Sequence, residues 1–381
     1  MSSFDLDSFL RHQVYGERLA SQGINAVVKP SLRETYLAVR RILLDYDTIP
    51  NQRTLDAILK QLSQAIEDNG GWLTLTKDYL VPFGVAEASW MAEYTALAVV
   101  PAGVAIKTPA EKAIESYIAK SIMTWDGKNP RAGRWLDFAA ANIQSREQAI
   151  NSAVMRGYSR GDTIRNITAE IRNVTEGLLF REAETLARTG FAHYASQANE
   201  AMIEANSDVL EEYYYSVTFD SRVSDICIGL SKSNQPGNRF KVGDPKAPTT
   251  PAHPNCRSRR LAVPKGTTPG GTKSSVGGQK GEEAAELFEA RKARSQKPVS
   301  YRGKKDTDIF KPGQIDAGTS LEQFFKRQPE WWVKETLGKA KAELFLKGGL
   351  PLGKFTDLNL KPLNLDELKS LYAREWRKAF G

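Results

Sequence analysis

Apolar residues recur at helical spacing through most of the first two hundred positions. The reading starts at Ser31, where "SLRE" has the form of a capping box: a serine hydroxyl that can accept from the amide three residues on, and a glutamate that can reach back. Leu32, Tyr36, Val39 and Leu43 then fall on one face, and Pro50 ends the run. Leu55, Ile58, Leu59, Leu62 and Ile66 predict a second helix over 54–68, closed by the glycines of "DNGG". A third is expected over 82–99, around Trp90 and Tyr94. "TPAE" (108–111) and "SREQ" (145–148) read as two further starts, the second opening a helix through Met155. Asp162 is expected to cap a short helix. Leu179, Ala183, Leu186, Ala187, Tyr194, Ala198 and Met202 keep the period through a long helix over 175–205. Residues 1–30 are weakly patterned.

The pattern changes at Glu211. "EEYYYSVTFD" (211–220) is rich in aromatic and β-branched residues and predicts a strand, as does "SRRLAVP" (258–264). Between them lie about forty residues of loop, holding one short helix over 223–231 capped by Ser221 or Asp220. A loop of that length in a compact domain tends to be functional or pinned. "PKGTTPGGTKSSVGGQKG" (264–281) reads as a flexible linker, followed by a short helix over 282–294. From Ser320 the chain predicts two short helices split by Pro329, and "LNLDELKSLYAREWRKAF" one more. The fold class expected is α+β: a mainly helical N-terminal region, a small β-containing module, a flexible basic linker and a helical C-terminal tail.

Composition changes this picture little: 41% apolar and 26% charged residues are ordinary for a globular protein. No secretory leader and no membrane-spanning segment is expected; the best candidate for a span, 95–107, is short and broken by Pro101. Two cysteines cannot build a disulfide framework, which fits folding in a reducing compartment. Charge is more informative. Residues 257–311 hold 14 Lys or Arg against 6 Asp or Glu, an excess of 8, as large as the +8 of the whole chain. A concentrated basic segment fits a polyanionic partner, nucleic acid first, or a solvated linker. The candidate DNA-binding residues are Arg257, Arg259, Arg260, Lys265, Lys273 and Lys280; alternate arginines on a strand equally mark an exposed face.

The one dense chemical motif is "PAHPNCRSRR" (251–260), with one of three histidines and one of two cysteines. Cys227, His253 and Cys256, with Asp220 (or Asp225) as a carboxylate, form a candidate zinc set. The alternative is that both cysteines pack as small apolar residues while His253 bonds the loop backbone. Catalysis is not expected: there is no P-loop, no dinucleotide glycine motif, no H-E-x-x-H and no strained nucleophile turn. His193 reads as a buried structural histidine.

"REAETLARTGFAHYASQANE" (181–200), "YYYSVTFDSRVSDICIGL" (213–230) and "PAHPNCRSRRLAV" (251–263) together resemble tailed-phage minor head proteins of the phage Mu F-like, head-morphogenesis class. The resemblance covers roughly 145–265, and more loosely 320–368. The chain is expected to divide into a helical region (1–130), which matches no family, the helical part of the head-morphogenesis domain (131–206), the β-containing module (207–264), the basic linker (265–319) and a helical C-terminal segment (320–381). Asp220 and Arg222 fit the family's turn, with Val223 in place of threonine. Cys227 fits its second cysteine, and His253, Pro254, Cys256 and Arg257 its closing corner. Ser224 and Ser258 stand where fuller versions carry cysteine, which removes up to two ligands and implies a corner held by packing and hydrogen bonds. The resemblance implies a low-copy virion component inside the capsid near the portal vertex, assembled in the bacterial cytoplasm, oligomeric on the portal and able to leave with the genome. Its partners would be the portal protein, other capsid proteins and viral double-stranded DNA. The rival readings are a nuclease or toxin-like enzyme carrying this module, and a stand-alone DNA-binding protein of a mobile element.

Overall fold

A computed structural model describes residues 3–46, 48–99, 105–125, 131–234, 237–264, 268–294, 309–357 and 359–381. The chain opens with a short strand, β1 (Ser3–Asp5), and enters α1 (Leu6–Gly23), capped by the Asp5 carboxylate. A single π turn, Ile24–Val28, carries this helix straight into α2 (Lys29–Leu44). Ser31 is therefore inside a helix and starts nothing. Its hydroxyl instead donates to the carbonyls of Asn69 and Gly70, closing the far end of α3 (Gln52–Asp68). A capping box is a local signal, and here the chain continues as helix on both sides of it.

α4 (Trp72–Leu75) passes through another π turn, Thr76–Leu80, into α5 (Val81–Val99). α6 (Glu111–Lys120) starts only at Glu111, with no side-chain cap, so Thr108 does not cap it. A small hairpin, β2 (Met123–Trp125) with β3 (Arg131–Gly133), precedes α7 (Trp135–Arg160). Ser145 lies in the middle of α7, where its hydroxyl reaches Glu182. α8 (Ile164–Val174) is capped by Thr163, while Asp162 pairs with Arg160 at 2.7 Å. A π turn at Thr175–Leu179 joins α8 to the long α9 (Phe180–Ala205).

β4 (Glu212–Ser216) and β5 (Arg259–Val263) pair antiparallel, with Tyr214 opposite Leu261. The loop between them carries α10 (Asp225–Lys232), capped by Ser224 rather than Ser221 or Asp220. The segment expected as a flexible linker contributes β6 (Thr268–Gly270), parallel to β1, and β7 (Thr272–Gly278), antiparallel to β8 (Phe310–Asp316). α11 (Glu282–Arg294) lies between β7 and β8. Glycine here serves close packing: a Cβ on Gly278 would lie 2.6 Å from the Trp331 ring and 2.9 Å from Pro329. Backbone pairing thus overrides a composition that reads as linker. The chain closes with α12 (Leu321–Lys326), α13 (Glu330–Leu337), α14 (Lys339–Glu343), α15 (Leu365–Leu371) and α16 (Ala373–Phe380). No helix among the described residues is long and apolar enough to cross a membrane.

Two buried clusters organise these elements. One is aliphatic and helical, with Val39, Leu43, Ile58, Leu62, Ile66, Ile150, Ile167 and Ile171 at its centre. The other is aromatic-rich and gathers β4, β5, α10 and the C-terminal helices, with Tyr215, Phe219, Phe325, Trp332 and Phe355. α5 and α9 serve both: Ala88 and Ala198 face the first cluster, Met91 and Met202 the second.

Candidate functional site

The site lies where the long loop returns to β5. Asp220 leads into it from β4, α10 presents Cys227 one turn from its cap, and the 251–258 corner presents His253 and Cys256. Cys227 and Cys256 are 4% and 3% exposed, with their sulfurs 3.9 Å apart and both thiols free. His253 Nε2 is 3.1 Å from the Cys227 sulfur. Its Nδ1 faces the Pro254 carbonyl at 2.8 Å, which fixes the ring. The three donor atoms lie within 4.8 Å of one another. Two thiolates bound to one tetrahedral zinc at about 2.3 Å have sulfurs about 3.8 Å apart, so the sulfur pair matches one edge of a zinc tetrahedron.

The two serines complete the cluster in another way. Ser224 Oγ lies 2.9 Å from His253 Nε2, and Ser258 Oγ donates to the Cys227 sulfur at 3.1 Å. Hydroxyls thus already sit beside the histidine nitrogen and one of the two sulfurs. The same network splits the thiols. The hydrogen bond with Cys227 and the nearby His253 hold Cys256 below the usual cysteine value despite burial. Cys227 is held above it by the Cys256 contact and by burial. His253 is pulled down by burial, but the Cys256 sulfur and the Pro254 carbonyl outweigh that and leave it above the ordinary imidazole value.

Asp220 does not join this cluster. Arg257 grips it through two bonds, Nη1–Oδ2 at 2.5 Å and Nη2–Oδ1 at 2.8 Å, and the Arg222 amide adds a third at 2.9 Å. Burial pushes the Asp220 carboxyl up, but the Arg257 fork and charge outweigh it and hold the group below the usual carboxylate range. The corner is pinned from other sides too. Asn255 adopts a left-handed backbone (φ 58°), which asparagine tolerates, and its amide donates to Thr189 Oγ1 at 3.0 Å. Gln13 on α1 donates to the Arg257 carbonyl at 3.3 Å.

The structure separates the six candidate DNA-binding residues. Arg257 is held by Asp220. Arg260 pairs with Glu200 at 2.7 Å, lies over the Tyr213 ring and donates to the Pro248 carbonyl. Lys273 is 6% exposed, donating to the Ala317 and Thr319 carbonyls and lying over Phe219; burial lowers its pKa to about 8. Arg260 and Lys273 lie on strand faces that turn inward, and Arg257, in the loop before β5, is tied to Asp220, so none of the three offers the free surface cation expected of it. Lys280 is exposed and Arg259 half-buried, while Lys265 lies outside the described residues, as does 295–308 of the basic segment.

Sequence reasoning missed Thr185, Thr189, Arg181 and Arg188. They share one face of α9 at i, i+4, i+7 and i+8 spacing, which was readable. That face, α1 and the corner enclose an open cleft of about 630 Å³ beside the cysteine–histidine cluster. Ser224 and Ser258 as cluster partners were visible only as substitutions in a pattern.

Residues 148–261 match the family described as Phage Mu protein F like protein. No curated protein and no solved structure matches the chain.

Proposed function

Because residues 148–261 match the family of phage Mu protein F-like proteins, we infer that this chain is a minor head protein docked at the portal vertex of a tailed-phage capsid. The observation that carries this reading is the family match itself. It spans α8, α9, β4 and the corner where Asp220, Arg257 and the cysteine–histidine cluster meet. The corner's role in this reading is architectural. Its sulfurs are buried, its imidazole is bonded on both nitrogens, and its carboxylate is committed to an arginine. In this reading such a site holds a loop in place.

Cys227, His253 and Cys256 are the residues that would hold a zinc ion, whose chemistry there would be structural cross-linking of α10 to the corner. Because Ser224 and Ser258 already satisfy His253 and Cys227, the corner in this proposal folds without metal. DNA contact is the finer part of the proposal. It falls to exposed Lys280 and the Lys and Arg residues of 291–305, since three of the expected cations are engaged internally. Deleting 295–308 would then reduce retention of duplex DNA at low salt.

The test of the main reading is co-purification. The protein should travel with portal-containing procapsids lacking DNA. Absence from procapsids and virions alike would overturn the reading. A nuclease activity of the pure protein that disappears in His253→Ala would favour the enzyme instead.

A further inference from the structure

The cleft beside the corner has a composition that neither the family match nor the cluster explains. α1 contributes Gln13 and Glu17, α9 contributes Arg181, Glu184 and Arg188, and the corner contributes Arg257 and Arg259, with Arg222 at the rim. That is five arginines against two glutamates. The internal acids do not use up the cations. Asp220 is taken by Arg257, leaving Arg222 a loose 3.6 Å contact with a side chain 75% exposed. Glu184 meets Arg188 at 2.9 Å in a half-exposed i, i+4 pair, which contributes little. Arg181 is exposed, and among the described residues it bonds the Gly177 carbonyl alone. Arg259 is the telling residue: its Nη1 is buried and has no hydrogen-bond acceptor among the described residues. A buried donor without an acceptor is destabilising, and an acceptor reaching it would relieve that cost.

We propose that this cleft docks an acidic peptide segment of a partner protein, with carboxylates held by Arg222, Arg259 and Arg181. Three observations favour a peptide over a nucleic acid. The site is concave and small, about 630 Å³, whereas a duplex presents a broad convex backbone. Glu17 and Glu184 stand in the walls, where they would repel a continuous row of phosphates but can meet the amides or cations of a mixed-charge peptide. The floor includes Gly16, Ala20, Ala192 and the buried Phe191, an apolar base that suits a side chain set between two acids. Guanidinium forks bind carboxylates in pairs, which supplies register as well as affinity. The identity of the partner as another head component rests on the head-assembly reading; the chemistry of the cleft does not.

The experiment uses the full-length protein and three fluorescein-labelled probes: a short Glu- and Asp-rich peptide with one central Leu, a single-stranded oligonucleotide, and a duplex. Anisotropy titrations should show saturable binding of the peptide. Arg222→Glu and Arg259→Met, each checked for an unchanged unfolding midpoint, should each weaken it about tenfold or more. Lys326→Ala, outside the cleft, should leave it unchanged. The proposal fails if wild type does not bind the peptide, or if folded Arg222→Glu and Arg259→Met bind it as wild type does. It also fails if the nucleic acids bind more tightly than the peptide and lose that binding in the same variants. Absence of the protein from capsids would sink the head-assembly reading and leave these titrations untouched.

Discussion

The two buried clusters are built on different chemistry. The helical cluster is mostly leucine, isoleucine, valine and alanine from helices between residues 20 and 198, with Trp72, Phe83, Trp135 and Phe191 among them. Its buried charge is Arg146, which bonds Asn142 and the Gly70 carbonyl and lies over Trp72. The second cluster contains or borders Asp220–Arg257, Glu200–Arg260 and Lys273, and its β pairs join positions far apart in the chain. Apolar burial is non-directional and tolerates small losses; a buried ion pair is indispensable once formed, because removing one partner strands the other. The aliphatic cluster should therefore absorb substitutions that the polar corner cannot.

The largest expected effect tests that contrast. Asp220→Ala leaves Arg257 without its carboxylate and should cost about 3–5 kcal/mol in urea unfolding, with part of the loss recovered in the Asp220→Ala/Arg257→Met double variant. A loss under about 1 kcal/mol would show that water replaces the pair.

Titration should separate the two regions by pH window, with stability rising with pH in both. His193 bonds Ser121 and is buried, which lowers its pKa to about 4 against 6.5 when exposed. The folded state resists its protonation, so this contribution is present above pH 6.5 and is lost as pH falls toward 4. Lys273 has its pKa lowered from 10.5 to about 8. Between these values the unfolded chain binds the extra proton, so stability should rise with pH from 8 to 10.5. Each shift corresponds to an effect on the order of 3 kcal/mol. Unfolding midpoints across pH, compared with His193→Gln and Lys273→Met, check both. Identical slopes in the variants would remove these groups from the account.

Smaller again is Ile58→Val in the helical cluster, expected to cost about 1 kcal/mol. A cost equal to that of Asp220→Ala would erase the distinction between the regions. The smallest effect concerns metal. Chelation should move the melting temperature by less than about 2 °C, because hydroxyls already satisfy the cluster, whereas Ser224→Cys/Ser258→Cys should gain several degrees with zinc. A wild-type midpoint that collapses on chelation would make the corner a true zinc site.

The sequence on its own determined that most of the first two hundred residues are helical, because a 3.6-residue apolar period is a local property, but it missed α1 in the weakly patterned first thirty residues. It also marked the corner, since histidine and cysteine are rare enough in this chain for their spacing to stand out. What it could not determine is whether a cap signal ends a helix: Ser31 and Ser145 have the right neighbours, yet the chain runs on as helix through both. Nor could it say that a run of Gly, Ser and Lys is a paired strand, because the partner, Phe310–Asp316, lies beyond α11. Above all, only the tertiary structure decided which arginines are free. Arg257, Arg259 and Arg260 are near neighbours in sequence and read alike. Folding gives the first to Asp220 and the third to Glu200, and leaves one nitrogen of the second buried without an acceptor. The reason is that an ion pair depends on where a distant carboxylate returns in space, which local composition does not encode.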